Sequence, residues 1–188
     1  MVRIYDRAST ANSFLQDGGS GYKTGREGNR FFVSNPTVTT GETAQTTFVD
    51  TTPYLLFDTD TSTRIIPFGL ILAQAGTVAG GVITIVLAID SINRYVSSGT
   101  ELTPKNTNMA LSVTTGVTAY VNPTASVASA NVRYFSPLTW EASVGLSSSL
   151  EFEDEYMAGA SSSFLIYIFA ASTAPTLHFT QSWVEELV

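Results

Sequence analysis

The stretch Arg64-Ile65-Ile66-Pro67-Phe68-Gly69-Leu70-Ile71-Leu72-Ala73-Gln74-Ala75-Gly76-Thr77-Val78-Ala79-Gly80-Gly81-Val82-Ile83-Thr84-Ile85-Val86-Leu87-Ala88-Ile89-Asp90 decides how the chain folds. Between its terminal charges lie twenty-five uncharged residues, 65–89, enough to cross a hydrocarbon core as a helix. Pro67, Gln74 and the turn-forming run 76–81 stand against a helix, and that run divides the stretch into two β-branched halves of strand length. No cluster of Lys or Arg flanks it to fix a membrane orientation. We therefore expect two strands joined as a hairpin, covered on one face by a core and on the other at an interface, which accounts for the loss of simple polar-apolar alternation.

Outside this stretch the same grammar repeats. Short β-branched or aromatic runs, set apart by turn residues, occupy positions 31–34, 44–50, 54–58, 64–73, 82–89, 109–113, 117–121, 131–136, 139–144, 150–157, 163–171 and 176–183. Thr, Val and Gly dominate where a helix would use Ala, Leu and Glu. Many strands joined by short turns make an all-β sandwich or barrel. The run 163–171 is apolar on both alternating faces, so both faces need cover. The chain itself covers one face, and a second subunit is expected on the other, placing Phe164, Ile166, Tyr167, Phe169 and Trp183 at an oligomer interface.

Residues 1–33 differ. They are polar and glycine-rich, with Gly18, Gly19, Gly21, Gly25 and Gly28, and hold no helical or alternating period. We read residues 1–33 as an extended N-terminal arm and 34–188 as the β domain. The opening residues lack the apolar core of a secretory signal. Arg3, Tyr5, Arg7, Phe14, Lys23, Arg26 and Arg30 are the candidate partner-binding residues of the arm, with Leu15 and Tyr22 as further anchors.

Composition narrows function. The 188 residues include 21 Ser and 26 Thr, no Cys and one His, and 13% are charged. That is apolar enough to fold as one domain. Without Cys there is no disulfide, thiolate metal site or Cys nucleophile, and one His cannot supply a usual zinc ligand set. The net charge of −7 argues against a nucleic-acid partner. It is unevenly spread: +2 over residues 1–33, −3 over 34–150 and −6 over 151–188.

No catalytic constellation stands out. The period of two in 176–183 puts His178, Thr180 and Ser182 opposite Leu177, Phe179, Gln181 and Trp183, making His178 a strand-surface residue. No Gly-x-Ser-x-Gly elbow accompanies it. The glycines at 76–81 lack the Gly-Lys-Ser/Thr ending of a phosphate loop. The acidic run Glu151-Phe152-Glu153-Asp154-Glu155 lacks the spacing of a calcium loop and suits a charged edge strand. We expect no enzyme, no cofactor and no bound metal.

The polar arm, about ten Thr/Val/Ser-rich strands, and the closing pair Phe164-Leu165-Ile166-Tyr167-Ile168-Phe169 and Pro175-Thr176-Leu177-His178-Phe179-Thr180-Gln181-Ser182-Trp183-Val184-Glu185-Glu186 together resemble the jelly-roll decoration or cement proteins of tailed-bacteriophage heads. The resemblance covers most of the chain as a pattern. It implies a jelly-roll β-sandwich of roughly eight to ten antiparallel strands, assembled as a homotrimer on the outside of an icosahedral shell. Arms would contact neighbouring major capsid protein subunits, with no catalysis, no nucleic acid and no membrane, in a protein made in the host cytoplasm and residing on the virion surface. Three other readings compete. A tail-fibre or spike module binding receptor or carbohydrate would use Tyr95 with Asn93 and Asp90, or Trp140 with Glu141. A self-assembling jelly-roll coat protein would turn its arm to nucleic acid, for which +2 is a weak charge. The third is a membrane protein built on residues 65–89.

Overall fold

The computed structural model describes residues 28–76, 80–135, 137–141, 147–151 and 156–188. These residues form an all-β structure dominated by two antiparallel sheets, with no helix among them. Eight of its fifteen strands are five residues or longer.

The first sheet runs β13 (Ser147–Glu151), β4 (Thr63–Gln74), β15 (Thr176–Leu187), β1 (Arg30–Ser34) and β8 (Lys105–Asn106), with β2 (Glu42–Thr43) added to the start of β15. The second runs β11 (Arg133–Tyr134), β5 (Val82–Asp90), β14 (Ser163–Ala170), β3 (Leu55–Thr59), β9 (Val117–Val121) and β7 (Thr100–Leu102), with β12 (Leu138–Glu141) also on β5. A small ribbon pairs β6 (Tyr95–Ser97) with β10 (Thr124–Ala125).

Alternation in β15 behaves as a strand between core and surface should: Leu177, Phe179, Gln181 and Trp183 are buried, while His178, Thr180 and Ser182 face outward. Facing residues of the two sheets fill one core. Trp183 stacks with Phe31 at 6.2 Å and meets Phe57 edge-on at 5.4 Å, and Tyr54 meets Phe179 edge-on at 5.7 Å. Pro67 sits in a central strand, a position that normally rejects proline. Register explains it: Ser182 pairs with Gly69 and Trp183 with Pro67, leaving Phe68 as the extra residue of a bulge, where a missing N–H is tolerated.

The expected hairpin is corrected. Residues 65–89 do form two strands, but β4 lies in the first sheet against β15 and β5 in the second against β14. The loop between them is an arch from sheet to sheet. The 171–175 connection between β14 and β15 is a second arch, also crossing between the sheets. The two arches meet where Gly80 N–H donates to Thr173 O (3.2 Å) and Ser172 N–H donates to Gly80 O (3.0 Å). Each half of the apolar run finds its partner in the C-terminal strands, across roughly a hundred residues.

Other boundaries shift too. The strand expected at 31–34 is β1 (Arg30–Ser34), with Phe31 and Val33 in the core, so residues 30–33, counted with the arm, belong to the first sheet. The expected strand 44–50 is not formed: it is reduced to one parallel bridge from Gln45 to Phe169, and the short strand β2 precedes it at Glu42–Thr43. The expected strand 109–113 is not formed: this segment makes no ladder and leaves Met109 97% exposed. Part of the acidic run lies outside the described residues, but Glu151 ends β13, which is an edge strand.

Candidate functional site

The outer face of the second sheet carries most of the unusual chemistry. Leu165 and Tyr167 of β14 point there, and with Leu56, Val86, Ala88 and Ala125 they make a second buried cluster outside the sandwich core. Cover of this face comes from the chain itself: Ala125 is buried in the cluster and Val132 packs against it, beside Tyr120 of the neighbouring strand β9. Phe48 lies on it as well, its ring centre 4.9 Å from Tyr167 and 6.2 Å from Phe169.

A buried cation holds that cover down. Arg94 is fully buried, and its guanidinium donates to Asp90 Oδ2 (3.0 Å), Asp50 Oδ2 (3.0 Å) and the Ser126 carbonyl (2.7 Å). Its backbone N–H donates to Asp58 Oδ1 (3.1 Å) and Ser163 Oγ (2.9 Å). Asp90 also accepts from the Ser129 hydroxyl and N–H, and Asp50 from the Tyr134 hydroxyl and the Ala128 N–H. Segments around residues 50, 90, 126–129 and 134 are thereby clasped together. Burial pushes the Asp90 carboxyl up, but hydrogen bonds from Ser129 and the charge of Arg94 outweigh it and leave its pKa lowered. Asp50 is lowered for the same reasons, with Tyr134 the leading hydrogen-bond donor. Burial and the bond to Asp50 push the Tyr134 phenol up to about 12.

A hollow of about 600 Å³ lies beside this clasp, lined by Ile89, Asp90, Ser91, Asn131, Arg133 and Ser162. Both oxygens of Asp90 are already engaged, so its carboxylate is not free to act as a base. His178 lies on the outer face of the first sheet, opposite Ala73, and no serine hydrogen-bonds to it among the described residues. No metal-binding group of His, Asp or Glu occurs among the described residues. No helix among them is long and apolar enough to cross a membrane.

Of the expected interface residues, Phe164, Ile166, Tyr167 and Trp183 are at most 2% exposed and packed within the single chain, leaving only Phe169 half-buried. Their place at the surface is taken by residues that sequence reasoning missed. Phe48 and Val49 are each 41% exposed and Tyr134 43%, with the Phe48 and Tyr134 rings edge-on at 5.7 Å. With Phe169, Phe48 and Tyr134 form an aromatic patch on the outer face of the second sheet. Of the arm candidates, Arg3, Tyr5, Arg7, Phe14, Lys23 and Arg26 lie outside the described residues; Arg30 is in β1, its guanidinium 4.0 Å above the Phe68 ring.

The residues weighed for a carbohydrate site separate. Asp90 belongs to the clasp and Asn93 donates to the Thr59 carbonyl (3.1 Å). Tyr95 instead stacks on Tyr120, ring centres 3.8 Å apart and planes within 5°. Comparison of the chain with protein-family models, with curated proteins and with solved structures finds no match.

Proposed function

We propose that this chain is a virion structural protein that decorates and stabilises the outer surface of a phage capsid as a homotrimer, without catalysis, and that its sandwich is a jelly roll. The observation that carries this reading is the aromatic patch of Phe48, Tyr134 and Phe169 on a clasped β face. Half-exposed aromatics gathered on one face favour a protein contact over solvent. The charge beneath the patch is partly offset, since Arg94 pairs with both Asp50 and Asp90, which leaves one net negative charge for copies of the chain to accommodate there. The β4–β5 and β14–β15 connections, each of which joins a strand of one sheet to a strand of the other, support a rolled sandwich. A shell protein of this kind also needs arms that gain contact as they order, and residues 1–27 supply the length and the mild basic charge.

The test is assembly. Light scattering on the 20.1 kDa chain should give a trimer near ~60 kDa, and Phe48→Ser with Tyr134→Ser should return it to monomer. The purified protein should saturate phage heads that lack it and raise their heat resistance. A stable monomer that leaves heads bare would overturn the proposal.

The stacked Tyr95 and Tyr120, with Glu101 paired opposite Tyr120 across β7 and β9, favour a second reading as a glycan-binding fibre module. Tyr95→Ala abolishing a glycan-array signal would select it.

A further inference from the structure

Arg133 is an arginine on the core-facing side of a strand. In β11 it pairs with Ile89 of β5, and paired residues share a face; Ile89 packs against the sandwich core. The hollow of about 600 Å³ opens here, lined by both residues, with Arg133 exposed on its wall. Of the four described arginines, Arg94 and Arg64 pair with carboxylates and Arg30 lies over the Phe68 ring. Arg133 alone has no ion pair or hydrogen bond from its guanidinium among the described residues. The rest of the wall is hydrogen-bonded in place. The Ser129 carbonyl accepts from the Val132 N–H (3.2 Å) and its Oγ from the Asn131 N–H (3.1 Å). Before β14, Ser161 N–H donates to Asp60 O (2.8 Å) and Ser162 N–H to Thr59 Oγ1 (3.0 Å). Two small polar groups on this lining have capacity to spare: the exposed Asn131 amide, without a hydrogen bond among the described residues, and the Ser91 hydroxyl, which has only a 3.4 Å contact with Ser129 Oγ.

We propose that this hollow binds a sugar-sized carboxylate, an acidic monosaccharide unit, with Arg133 as the anchor of its charge. The planar guanidinium presents parallel N–H donors that match the two oxygens of a carboxylate. Both oxygens of Asp90, the only carboxylate on the lining, are already taken by Arg94 and Ser129, so the hollow offers a cation and no free acidic group. Charge also sets the valence. The clasp beside the hollow holds Asp50 and Asp90 against Arg94, one net negative charge. A phosphate dianion would meet that charge in addition to Arg133, whereas a single carboxylate is balanced by Arg133 alone. Size argues for more than a bare ion, because about 600 Å³ lies within the ~300–1,000 Å³ of small-molecule sites. The lining suits a sugar, with Asn131 and Ser91 placed to meet hydroxyls and Ile89 and Ala160 to meet the C–H face. Walls fixed by backbone hydrogen bonds lose little freedom when the ligand enters. None of these residues belongs to the aromatic patch, so binding here is independent of decoration.

Titration calorimetry on the purified full-length protein tests this, with glucuronate and N-acetylneuraminate as probes and glucose and acetate as the neutral and sugar-free controls. Saturable binding of at least one acidic sugar is expected, about tenfold or more tighter than either control and weakened by added salt. Arg133→Gln removes the charge at an exposed position and should weaken binding by about tenfold or more with the melting temperature unchanged. Asn131→Asp, which adds a fixed negative charge to the same wall, should act in the same direction. No saturation by either acid at ~10 mM, equal affinity for a control, or undiminished binding by Arg133→Gln would overturn the proposal. Arg133 would then be an inward-facing charge that guards an edge strand against wrong pairing. Heads are absent from the titration, so its failure and failure of the decoration role are distinguishable.

Discussion

Arg94 and Asp90, four residues apart, form an ion pair at 3.0 Å in which neither side chain has any exposed surface. Such a pair is stabilising only while both partners and their hydrogen bonds are intact, because each charge has lost its water. Asp50 and the Ser126 carbonyl complete the shell around the guanidinium. Replacing Arg94 by Met leaves Asp90 buried and uncompensated and should cost about 3–5 kcal/mol. Urea unfolding measures it, and loss of the near-ultraviolet signal of Tyr134 and Tyr167 reports release of the cover. A cost below about 1 kcal/mol would mean that the clasp is solvated in solution.

Acid should open the same clasp. Asp50 and Asp90 have pKa values lowered in the folded state, so each adds stability that is fully present above the unfolded value near 4 and is lost as pH falls through the folded value. Melting temperature should be level from about pH 7 to 5 and fall below about pH 4. Asp90→Asn should lower the plateau and flatten part of the acid limb. Parallel curves for the two proteins would exclude Asp90 as a source of the limb.

Much of this architecture is legible in the sequence, and the misses share one cause. The period of two from Thr176 to Trp183 assigns every side chain to its observed face, because alternation is a local property. That 163–170 needs cover on both faces is likewise readable, and β14 is buried along almost its whole length. What cannot be read locally is which segment does the covering. Phe48 stands in a Thr-rich stretch, and only the folded chain brings it onto Tyr167. The hairpin expected around Gly76 to Gly81 fails for the same reason: two apolar strands joined by a turn look alike whether they pair with each other or with strands a hundred residues away. Arg94 was hidden by distance too, since Asp50 and Ser126 reach it from opposite directions in sequence.

The contact between the arches should be sensitive to a single methyl group. A Cβ at Gly80 would lie 2.7 Å from the Ser172 Cβ and 2.9 Å from the Thr173 backbone nitrogen, neither of which can swing aside. Gly76, at φ +66°, has open space around it, so alanine there meets only backbone strain of about 1 kcal/mol. Gly80→Ala should therefore cost about 2–3 kcal/mol by overpacking, more than Gly76→Ala, in chemical denaturation. Equal costs would show that the arches separate freely.

Gln181 offers the opposite outcome, a substitution that stabilises. Its side chain points into the sandwich core beside Phe179 and Trp183 and is 1% exposed. The amide nitrogen donates to the Ser182 carbonyl (2.7 Å), while Oε1 has no partner among the described residues. A buried acceptor left unpaired costs about 1–3 kcal/mol, whereas a single neutral hydrogen bond returns about 1 kcal/mol. Methionine has similar length and volume, fits the same slot with free rotation about its thioether, and brings no polar group into the core. Gln181→Met should raise the unfolding free energy by about 1 kcal/mol without altering the oligomeric state. If it destabilises instead, Oε1 is hydrogen-bonded in solution, and the polar site at the centre of β15 is structural.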